Sequence, residues 1–203
     1  MPNKYRILIS LAFFLLAGCQ SHESPIAPGV VIKQDLGDIS LTLTLLTEEE
    51  LLKRHGKSGN PFVAYPGKIP RKDFFVFDTT ISSESRKVLF NMQEILLNLD
   101  TGVSDNAKSR ATLLRTWDFY LKDDNSKAQM KRIIKQNLSD NSFTAAPGED
   151  YRGYIVFLVN TEAAKEGTLL IPVETSDGDK GIIEMPFNFT ATDSESENIF
   201  NKS

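Results

Sequence analysis

The sequence predicts a mainly β fold, an antiparallel β-sandwich with a helical insertion at about residues 104–139. Three observations lead to this expectation. Several segments alternate apolar and polar residues with the period of two that is typical of a strand with one buried face. These segments follow one another without intervening helices. The helical patterns are grouped in the chain instead of alternating with the strands.

The first strand predictions cover residues 39–45, 73–82 and 87–100. In the first segment, leucines and an isoleucine alternate with serine and threonine. In the second, two phenylalanines, a threonine and an isoleucine lie on one side. In the third, the alternation changes parity near Gln93 and Glu94, which predicts a β-bulge or a strand that changes sheets.

The later strand predictions cover residues 152–159, 168–174 and 181–189. The first of these is apolar on both faces, so we expect it at the centre of a sheet. The other two are joined by residues 175–180 (TSDGDK), whose Asp-Gly pair is typical of a hairpin turn. Pro172 and Pro186 cannot donate a ladder hydrogen bond, which predicts that both strands lie at an edge or carry a bulge.

Three helices are expected between these strands. Thr47 and Glu50 have the spacing of a capping box, and Gly56 is placed to end the first helix. The second helix lies within residues 108–121, and the third runs from about residue 126 to residue 138 with one apolar face. The cationic residues of its opposite, solvent-facing side are Lys127, Lys131, Arg132 and Lys135.

The N-terminal segment has the features of a secretion signal. Lys4 and Arg6 make a short basic start, and residues 7–17 form an eleven-residue apolar run broken only by Ser10. A helix needs about 20 apolar residues to span a bilayer. The run is therefore too short for a transmembrane helix and has the length of the apolar region of a signal peptide.

The run ends in residues 16–19 (LAGC), which resemble the lipobox of bacterial lipoproteins. The resemblance implies that residues 1–18 are a signal peptide cut between Gly18 and Cys19. It also implies that the Cys19 thiol carries a diacylglycerol and that the new amino group is acylated. Gln20 follows the cysteine, which implies sorting to the outer membrane on its periplasmic side, because an aspartate there resembles the inner-membrane retention signal.

Composition excludes several classes of protein. The chain has 203 residues with 23 basic and 27 acidic side chains, so its net charge is −4. Cleavage after Gly18 removes two basic residues and leaves 21 against 27, a net charge of −6, which argues against a nucleic-acid partner. One cysteine and two histidines exclude a disulfide framework and a zinc site built from several such ligands. Aromatic packing has to hold the two sheets together instead.

The mature chain is divided into three parts by its composition. Residues 19–29 hold two prolines, two serines and a glycine, which is typical of a tether. Residues 30–189 contain the strand and helix patterns and form the predicted sandwich domain. Residues 190–203 are polar and are predicted to be a flexible tail.

Two stretches resemble a known family. One runs from the capped helix through Gly59-Asn60-Pro61-Phe62 to residues 71–77 (RKDFFVF), and the other is residues 146–157 (APGEDYRGYIVF). Both are similar to secreted immunoglobulin-like lipoprotein domains of the DUF4352 kind. The resemblance implies an immunoglobulin-like sandwich on a bacterial surface and supplies no catalytic residues. Independently of it, Gly153 at a strand start indicates that a backbone or a large ring comes close.

Residues that could carry chemistry are few. A Ser-His-Asp triad would have to use His55, and the chain has no Gly-x-Ser-x-Gly motif. Asp177-Gly178-Asp179 lacks the further acids of a calcium loop and is more simply a turn. We therefore expect no catalytic residue, no metal ligand and no cofactor. Trp117, Phe119 and Tyr120 form an aromatic cluster that is either a partner patch or one face of the core.

Three functions follow as hypotheses. The first is a lipid-anchored, non-enzymatic interaction or structural module of the cell envelope, with an envelope protein as partner. The second is an accessory lipoprotein for the assembly of a secretion, pilus or transport machine. The third is an envelope hydrolase with a pair of carboxylates, which would require two close, desolvated acids in one pocket.

Overall fold

The computed structural model describes residues 29–63, 72–120 and 124–189. They form two antiparallel sheets packed together with three α-helices, so the predicted β-sandwich with a helical insertion is confirmed. The strands are β1 (Val31–Leu36), β2 (Ile39–Leu46), β3 (Asp73–Ser83), β4 (Val88–Asn91), β5 (Leu96–Leu99), β6 (Ser104–Asn106), β7 (Ser142–Ala145), β8 (Tyr151–Val159), β9 (Glu166–Thr175) and β10 (Lys180–Asn188). The helices are α1 (Glu48–His55), α2 (Arg110–Tyr120) and α3 (Asp124–Asn137), and Met92–Glu94 form a 3-10 helix.

The first sheet, called sheet A, has the strand order β1-β2-β3-β8. The second, called sheet B, has the order β6-β5-β9-β4-β7, and β10 pairs with β9. β5 and β4 pair with successive parts of β9, while β10 pairs along its whole length. β2 and β3 are the two inner strands of sheet A, and β3 pairs with β2 on one side and β8 on the other.

The main core lies between the two sheets. Alternate residues of β2, including Leu41, Leu43 and Leu45, are fully buried there, as the period of two predicts. Aromatic rings cross from one sheet to the other. The rings of Phe77 in sheet A and Phe187 in sheet B are 5.5 Å apart at 88°, an edge-to-face contact. The expected aromatic packing between the sheets is therefore present.

The helices form a third layer on the outer face of sheet A. Phe74 and Val76 of β3 and Tyr154 and Val156 of β8 point to this side and are buried. The helical side chains packed on them are Leu51, Leu113, Trp117, Met130, Ile133, Ile134 and Leu138. Because successive residues of a strand point to opposite faces, β3 and β8 each contribute to two cores.

We predicted that the strand now seen as β8 lies at the centre of a sheet, and this is wrong. Among the described strands β8 is at the edge of sheet A, with one face on the sandwich core and the other on the helical layer. Its outer edge is covered by the chain that leads to α2. The Leu158 N–H donates to the Asp105 carboxylate at 3.0 Å, and the Lys108 N–H donates to the Val156 carbonyl at 2.7 Å. This cover satisfies backbone groups of an edge strand.

The parity change near Gln93 and Glu94 has a different cause from the predicted bulge or change of sheet. Met92–Glu94 form a 3-10 helix between β4 and β5, and both strands belong to sheet B. The Asn91 side chain caps this helix by accepting the Gln93 N–H at 3.2 Å. One helical turn shifts the inward-facing positions and keeps both strands on the same ladder partner, β9.

The predicted hairpin between β9 and β10 is confirmed. The Thr175 N–H donates to the Asp179 carbonyl at 2.9 Å, and Gly178 has a φ of +89°, a conformation that favours glycine. Pro186 lies on β10, which is at an edge of sheet B among the described strands. Its lack of an N–H is compatible with that position.

For Pro172 the expected edge or bulge is wrong, because β9 lies between β10 and the β4 and β5 strands. The Thr175 N–H points to β10, and N–H groups alternate in side along a strand, so the Pro172 nitrogen points away from β10. On that side β5 pairs with β9 up to Leu170, and β4 pairs from Glu174. Pro172 lies at the gap between these two ladders, where no described ladder bond is lost.

The expected close approach at Gly153 is confirmed. A Cβ atom at this position would overlap the hydroxyl oxygen of Tyr151 and would lie 3.1 Å from the carbonyl oxygen of Asn137. The Tyr151 ring in turn stacks on Phe143, with centroids 3.9 Å apart, and its hydroxyl accepts a hydrogen bond from Ser139. Gly153 therefore lets the end of α3 and this tyrosine meet at the start of β8.

The capping box of α1 is also confirmed. The Thr47 hydroxyl oxygen accepts the Glu50 N–H at 3.2 Å, and the Glu50 carboxylate accepts the Thr47 N–H at 2.8 Å. Gly56 ends the helix with a φ of +73°, and its N–H donates to the Leu52 carbonyl. Because β2 ends one residue before the cap, α1 starts at that end of sheet A.

The sandwich has two distinct ends. The Leu45 N–H donates to the Val30 carbonyl, and Leu46 pairs with Val76. The described chain therefore begins at the end of sheet A where β2 ends and where β3 and α1 start. We call this the proximal end. At the opposite, distal end Arg86 pairs with Asp38 at 2.8 Å and Asp179 at 3.4 Å. The hydrogen bonds from Arg86 and Ser85 hold the pKa of Asp38 well below its usual 3.8.

Candidate functional site

The three aromatic residues predicted as one cluster lie at the C-terminal end of α2 but in different environments. Trp117 is buried, with 2% of its surface exposed, whereas Phe119 is 82% exposed and Tyr120 is 36% exposed. An α-helix turns about 100° per residue, so Phe119 lies on nearly the opposite side from Trp117. The core alternative therefore applies to Trp117, and the patch alternative applies to Phe119 and Tyr120.

Trp117 belongs to the core between α2 and sheet A. Its ring stacks on Phe74 of β3, with centroids 6.0 Å apart and an interplanar angle of 26°. Leu113, one turn earlier on α2, is buried in the same cluster. These contacts fix the end of α2 above the first residues of β3, at the proximal end of the domain.

Phe119 and Tyr120, which we call the aromatic pair, lie at the surface. Their ring centroids are 5.1 Å apart at 90°, an edge-to-face arrangement. Among the large apolar and aromatic side chains that the structure describes, Phe119 is the most exposed. Exposed aromatic rings are enriched at recognition surfaces because they bury a large apolar area at a small cost in conformational entropy.

The helical hairpin beside the aromatic pair is tied by an ion pair. Lys131 of α3 lies 2.9 Å from Asp118 of α2, and both side chains are a little under half exposed. Arg132 and Lys135 on the same helix are exposed, while Lys127 is half-buried. Part of the predicted cationic face is thus directed to solvent, and part of it is engaged with α2.

A second cluster of polar and aromatic groups lies beneath α1. His55 Nε2 is 3.2 Å from the Tyr154 hydroxyl, and Arg54 donates to the same hydroxyl at 3.3 Å. Arg54 also pairs with Asp78 of β3 at 2.5 Å. The ring of Phe62 lies 5.7 Å from His55 and 5.5 Å from Tyr154. The described partner of the imidazole is therefore a tyrosine hydroxyl on β8.

The GNPF segment of the family resemblance holds this cluster together. Asn60, 1% exposed, donates from its side-chain amide to the carbonyls of Leu51 and Gly56, both at 3.0 Å. Its side-chain oxygen accepts the Phe62 N–H at 3.1 Å. This asparagine thus joins the middle of α1 to its C-cap and places Phe62 against the sheet. No local pattern in the sequence indicates this role of Asn60, because its partners depend on how α1 packs.

The environment of His55 disfavours its charged form. Burial lowers the pKa of the imidazole below its ordinary 6.5, and the positive charge of Arg54 lowers it further. Burial also raises the pKa of the Tyr154 hydroxyl, while the hydrogen bond from Arg54 opposes that shift. Near neutral pH this cluster therefore consists of a neutral histidine and a neutral tyrosine beside the Arg54–Asp78 ion pair.

We expect the free energy of unfolding of the domain to decrease as the pH falls, because His55 becomes protonated. Since the folded state binds the proton less tightly than the unfolded chain, the contribution of His55 is complete above pH 6.5 and declines as the pH falls below it. Urea unfolding at a series of pH values between about 5 and 8 measures this slope. The variant His55→Gln should lose the histidine part of the slope, and an unchanged slope would contradict the assignment.

Carboxylates line a surface depression of about 420 Å³ at the proximal end, beside β5, β9 and β10. Asp100 and Glu166 line it, and both are exposed. The Asp100 carboxylate accepts the Lys165 N–H at 3.2 Å, which gives it a structural role in the β8–β9 loop. This depression is one described place where the hypothesis of a carboxylate pair can be tested, and the groove of sheet B that Glu94 and Glu174 line is another.

The remaining candidates for chemistry have structural partners. Asp179 of the Asp177-Gly178-Asp179 turn pairs with Arg86 at the distal end. In the three described ranges, no group of three or more His, Cys, Asp or Glu side chains is arranged to hold a metal ion.

A groove of about 410 Å³ lies on the outer face of sheet B and is lined by Leu89, Pro172 and Ile182.

The predicted cleavage and lipidation residues, Gly18 and Cys19, lie outside the described residues, as do the first part of the tether and the tail from residue 190. Within the described part of the chain, no helix is long and apolar enough to cross a membrane. Searches of known protein families and of curated proteins found no match to this chain. The resemblance to immunoglobulin-like lipoprotein domains stays a prediction from short motifs.

Proposed function

We propose that this chain is a bacterial lipoprotein, anchored through acyl groups on Cys19, whose sandwich domain acts as a non-enzymatic interaction or structural module of the cell envelope. Its location is the outer membrane, with the domain facing the periplasm. The partner is an envelope protein, and the domain requires no cofactor. Membrane attachment comes from the lipid, and the specific contacts come from the folded domain.

The observation that carries this proposal is the N-terminal pattern. Lys4 and Arg6, the apolar residues 7–17 and the LAGC motif occur in the order and at the spacing of a lipoprotein signal. Cys19 is the single cysteine of the chain. Two or three acyl chains hold a protein firmly on a membrane, since each buried methylene contributes about 0.8 kcal/mol.

The fold supports the interaction part of the proposal. The helices cover the outer face of sheet A, whereas the outer face of sheet B carries exposed apolar groups. Leu89 and Ile182, which are 42% and 65% exposed, line the groove on this face. Exposed apolar groups on a rigid frame are typical of recognition surfaces.

Replacement of the anchoring residue tests the attachment. We expect Cys19→Ser to leave the membrane fraction or to accumulate as an uncleaved precursor, because no thiol remains to accept the diacylglycerol. A matched control carries Cys19→Ser together with Ser21→Cys, which keeps one cysteine but moves it away from Gly18. We expect this control to behave like Cys19→Ser. Membrane partition and mass that both stay equal to those of the original chain would refute lipidation.

The interaction role has its own test. Chemical crosslinking in cells, followed by purification of the anchored protein, should return the same envelope protein in repeated experiments. Return of components of one secretion, pilus or transport machine would favour the assembly hypothesis. Repeated recovery of the chain without any partner would count against an interaction module, even if Cys19 is lipidated.

A further inference from the structure

The end of the domain that faces the membrane follows from where the described chain begins. Val30 lies at the proximal end, where its carbonyl accepts the Leu45 N–H. Nine residues, 20–28, separate Cys19 from Gly29. A chain of that length spans at most about 33 Å. A domain of about 160 residues is roughly 40 Å across, which exceeds that reach.

A lipid on Cys19 therefore keeps the proximal end close to the bilayer and leaves the distal end farther away. The distal end carries the Asp38–Arg86–Asp179 network, and residues 176–179 form its hairpin. This orientation rests on the proposed function, because it requires the anchor on Cys19. The rest of the argument depends on what the proximal end presents.

The aromatic pair lies at this same end. Trp117 stacks on Phe74, which precedes Val76, and Val76 is level with Leu46 at the end of β2. α2 begins beside the middle of β8, since the Lys108 N–H donates to the Val156 carbonyl and the Arg110 N–H donates to the carbonyl of Ser139. Trp117 lies on Phe74, which pairs with Leu158, two residues nearer the proximal end of β8 than Val156. α2 therefore runs toward the proximal end, and the pair follows Trp117 by two and three residues.

The geometry points to the aromatic pair, Phe119 and Tyr120, as a membrane contact that enters the lipid interface while Cys19 anchors the chain. Aromatic side chains favour the region between headgroups and acyl chains, where an apolar ring and a polar tip are both accommodated. The occupant of this patch is thus the bilayer that holds the anchor. Because the chain is already tethered there, even a weak contact is populated.

Charges limit how much of the proximal end can approach the bilayer. Four acidic side chains at this end are exposed, and anionic headgroups repel them. They are Glu48, Glu49, Asp100 and Glu166. Arg115 is exposed one turn before Phe119 on α2. The contact is therefore confined to the tip of α2, with the acidic part of the end left in water.

The test uses spin labels on the full-length lipidated protein. Because acylation consumes Cys19, a single introduced cysteine can be labelled, as in Phe119→Cys at the tip of α2. Ser176→Cys, in the distal hairpin, is the matched exposed control. The protein is inserted into vesicles of phosphatidylethanolamine with a minor fraction of phosphatidylglycerol. Paramagnetic resonance then compares collisions of each label with oxygen, which enters lipid, and with a water-soluble nickel chelate.

We expect the label at residue 119 to gain oxygen collisions and to lose collisions with the nickel chelate relative to the label at residue 176, because the lipid interface admits oxygen and excludes the polar chelate. Equal access of the nickel chelate to both labels would overturn the membrane contact. Shielding of residue 119 in native envelopes but not in vesicles would also overturn it and would indicate a protein that covers the patch. The mass of the Cys19 peptide separates these results from failure of the proposed function, because an unacylated Cys19 refutes the anchor itself.

The part played by the Phe119 ring has a separate readout. A label at Arg115→Cys reports the depth of α2 while both aromatic residues are present. Adding Phe119→Ala should raise its access to the nickel chelate and leave the urea unfolding midpoint of the protein nearly unchanged, because Phe119 is 82% exposed. If the nickel chelate reaches the label at residue 115 equally well with and without the Phe119 ring in lipidated protein, this ring does not hold α2 at the bilayer.

Discussion

Replacing Phe77 with alanine is expected to lower the free energy of unfolding by about 3–5 kcal/mol. Phe77 is completely buried between the sheets, and its ring contacts Phe157 at 6.1 Å and Phe187 at 5.5 Å. The substitution removes the ring from both contacts and leaves a cavity that the two sheets can fill only in part. For a domain of this size the melting temperature should fall by about 6–20 °C.

Urea or thermal unfolding followed by circular dichroism measures this change. Ile182→Ala is the matched control, because Ile182 is also apolar and on a strand but is 65% exposed on the outer face of sheet B. We expect the control to change the free energy of unfolding by less than about 0.5 kcal/mol. Equal effects of the two substitutions would contradict a core that is held by rings between the sheets.

The second large effect concerns the helical layer. Trp117→Ala should destabilise the domain by about 3–5 kcal/mol, because the indole is 2% exposed and stacks on Phe74. Phe119→Ala, two residues further along the same helix, should change the stability by less than about 0.5 kcal/mol, since Phe119 is 82% exposed. The pair of variants separates a core residue from a surface residue with nearly the same helical neighbours.

Denaturant unfolding of both variants gives the comparison, and the slope of the transition shows whether the helical layer unfolds with the sandwich. A single transition with an unchanged slope is expected, because β3 and β8 belong to both cores. A loss of stability for Phe119→Ala as large as that for Trp117→Ala would contradict the burial of one and the exposure of the other. It would also remove the basis for a surface patch.

Local patterns account for most of the fold that could be predicted. The period of two in β2, the capping box at Thr47 and the Asp-Gly turn at residues 177–178 all act within a few residues, and all are confirmed. The wrong predictions involve tertiary neighbours. The apolar pattern of β8 shows that both of its faces are covered, and it is the same whether or not a further strand pairs with its outer edge. A sequence pattern reports burial and does not identify what covers the strand.

Pro172 shows the same limit on a smaller scale. A proline excludes a ladder bond on one side of its own strand, and the sequence cannot show that β4 and β5 leave a gap at that point. The 3-10 helix at Met92–Glu94 also changes which alternate residues face the core, as a β-bulge would. In both cases the residues are compatible with several arrangements, and the pairing of distant segments selects one of them.

The candidate sites divide in a similar way. Helical spacing alone could have separated Phe119 from Trp117, because two residues along a helix turn the side chain by about 200°. The His55–Tyr154 contact joins residues 99 positions apart, so no local signal could have found it. The position of the aromatic pair at the proximal end likewise depends on strand register, which becomes visible only in the fold.

The mass of the N-terminal peptide of the protein purified from membranes tests the proposed anchor most directly. We expect a chain that begins at Cys19 and carries a diacylglycerol on its sulfur and an acyl group on its amino group. Hydrolysis of the ester bonds should release the fatty acids and shift the mass by the corresponding amount. A peptide that retains residues 1–18, or one that is cut elsewhere and contains an unmodified thiol at Cys19, would contradict a lipid-anchored module.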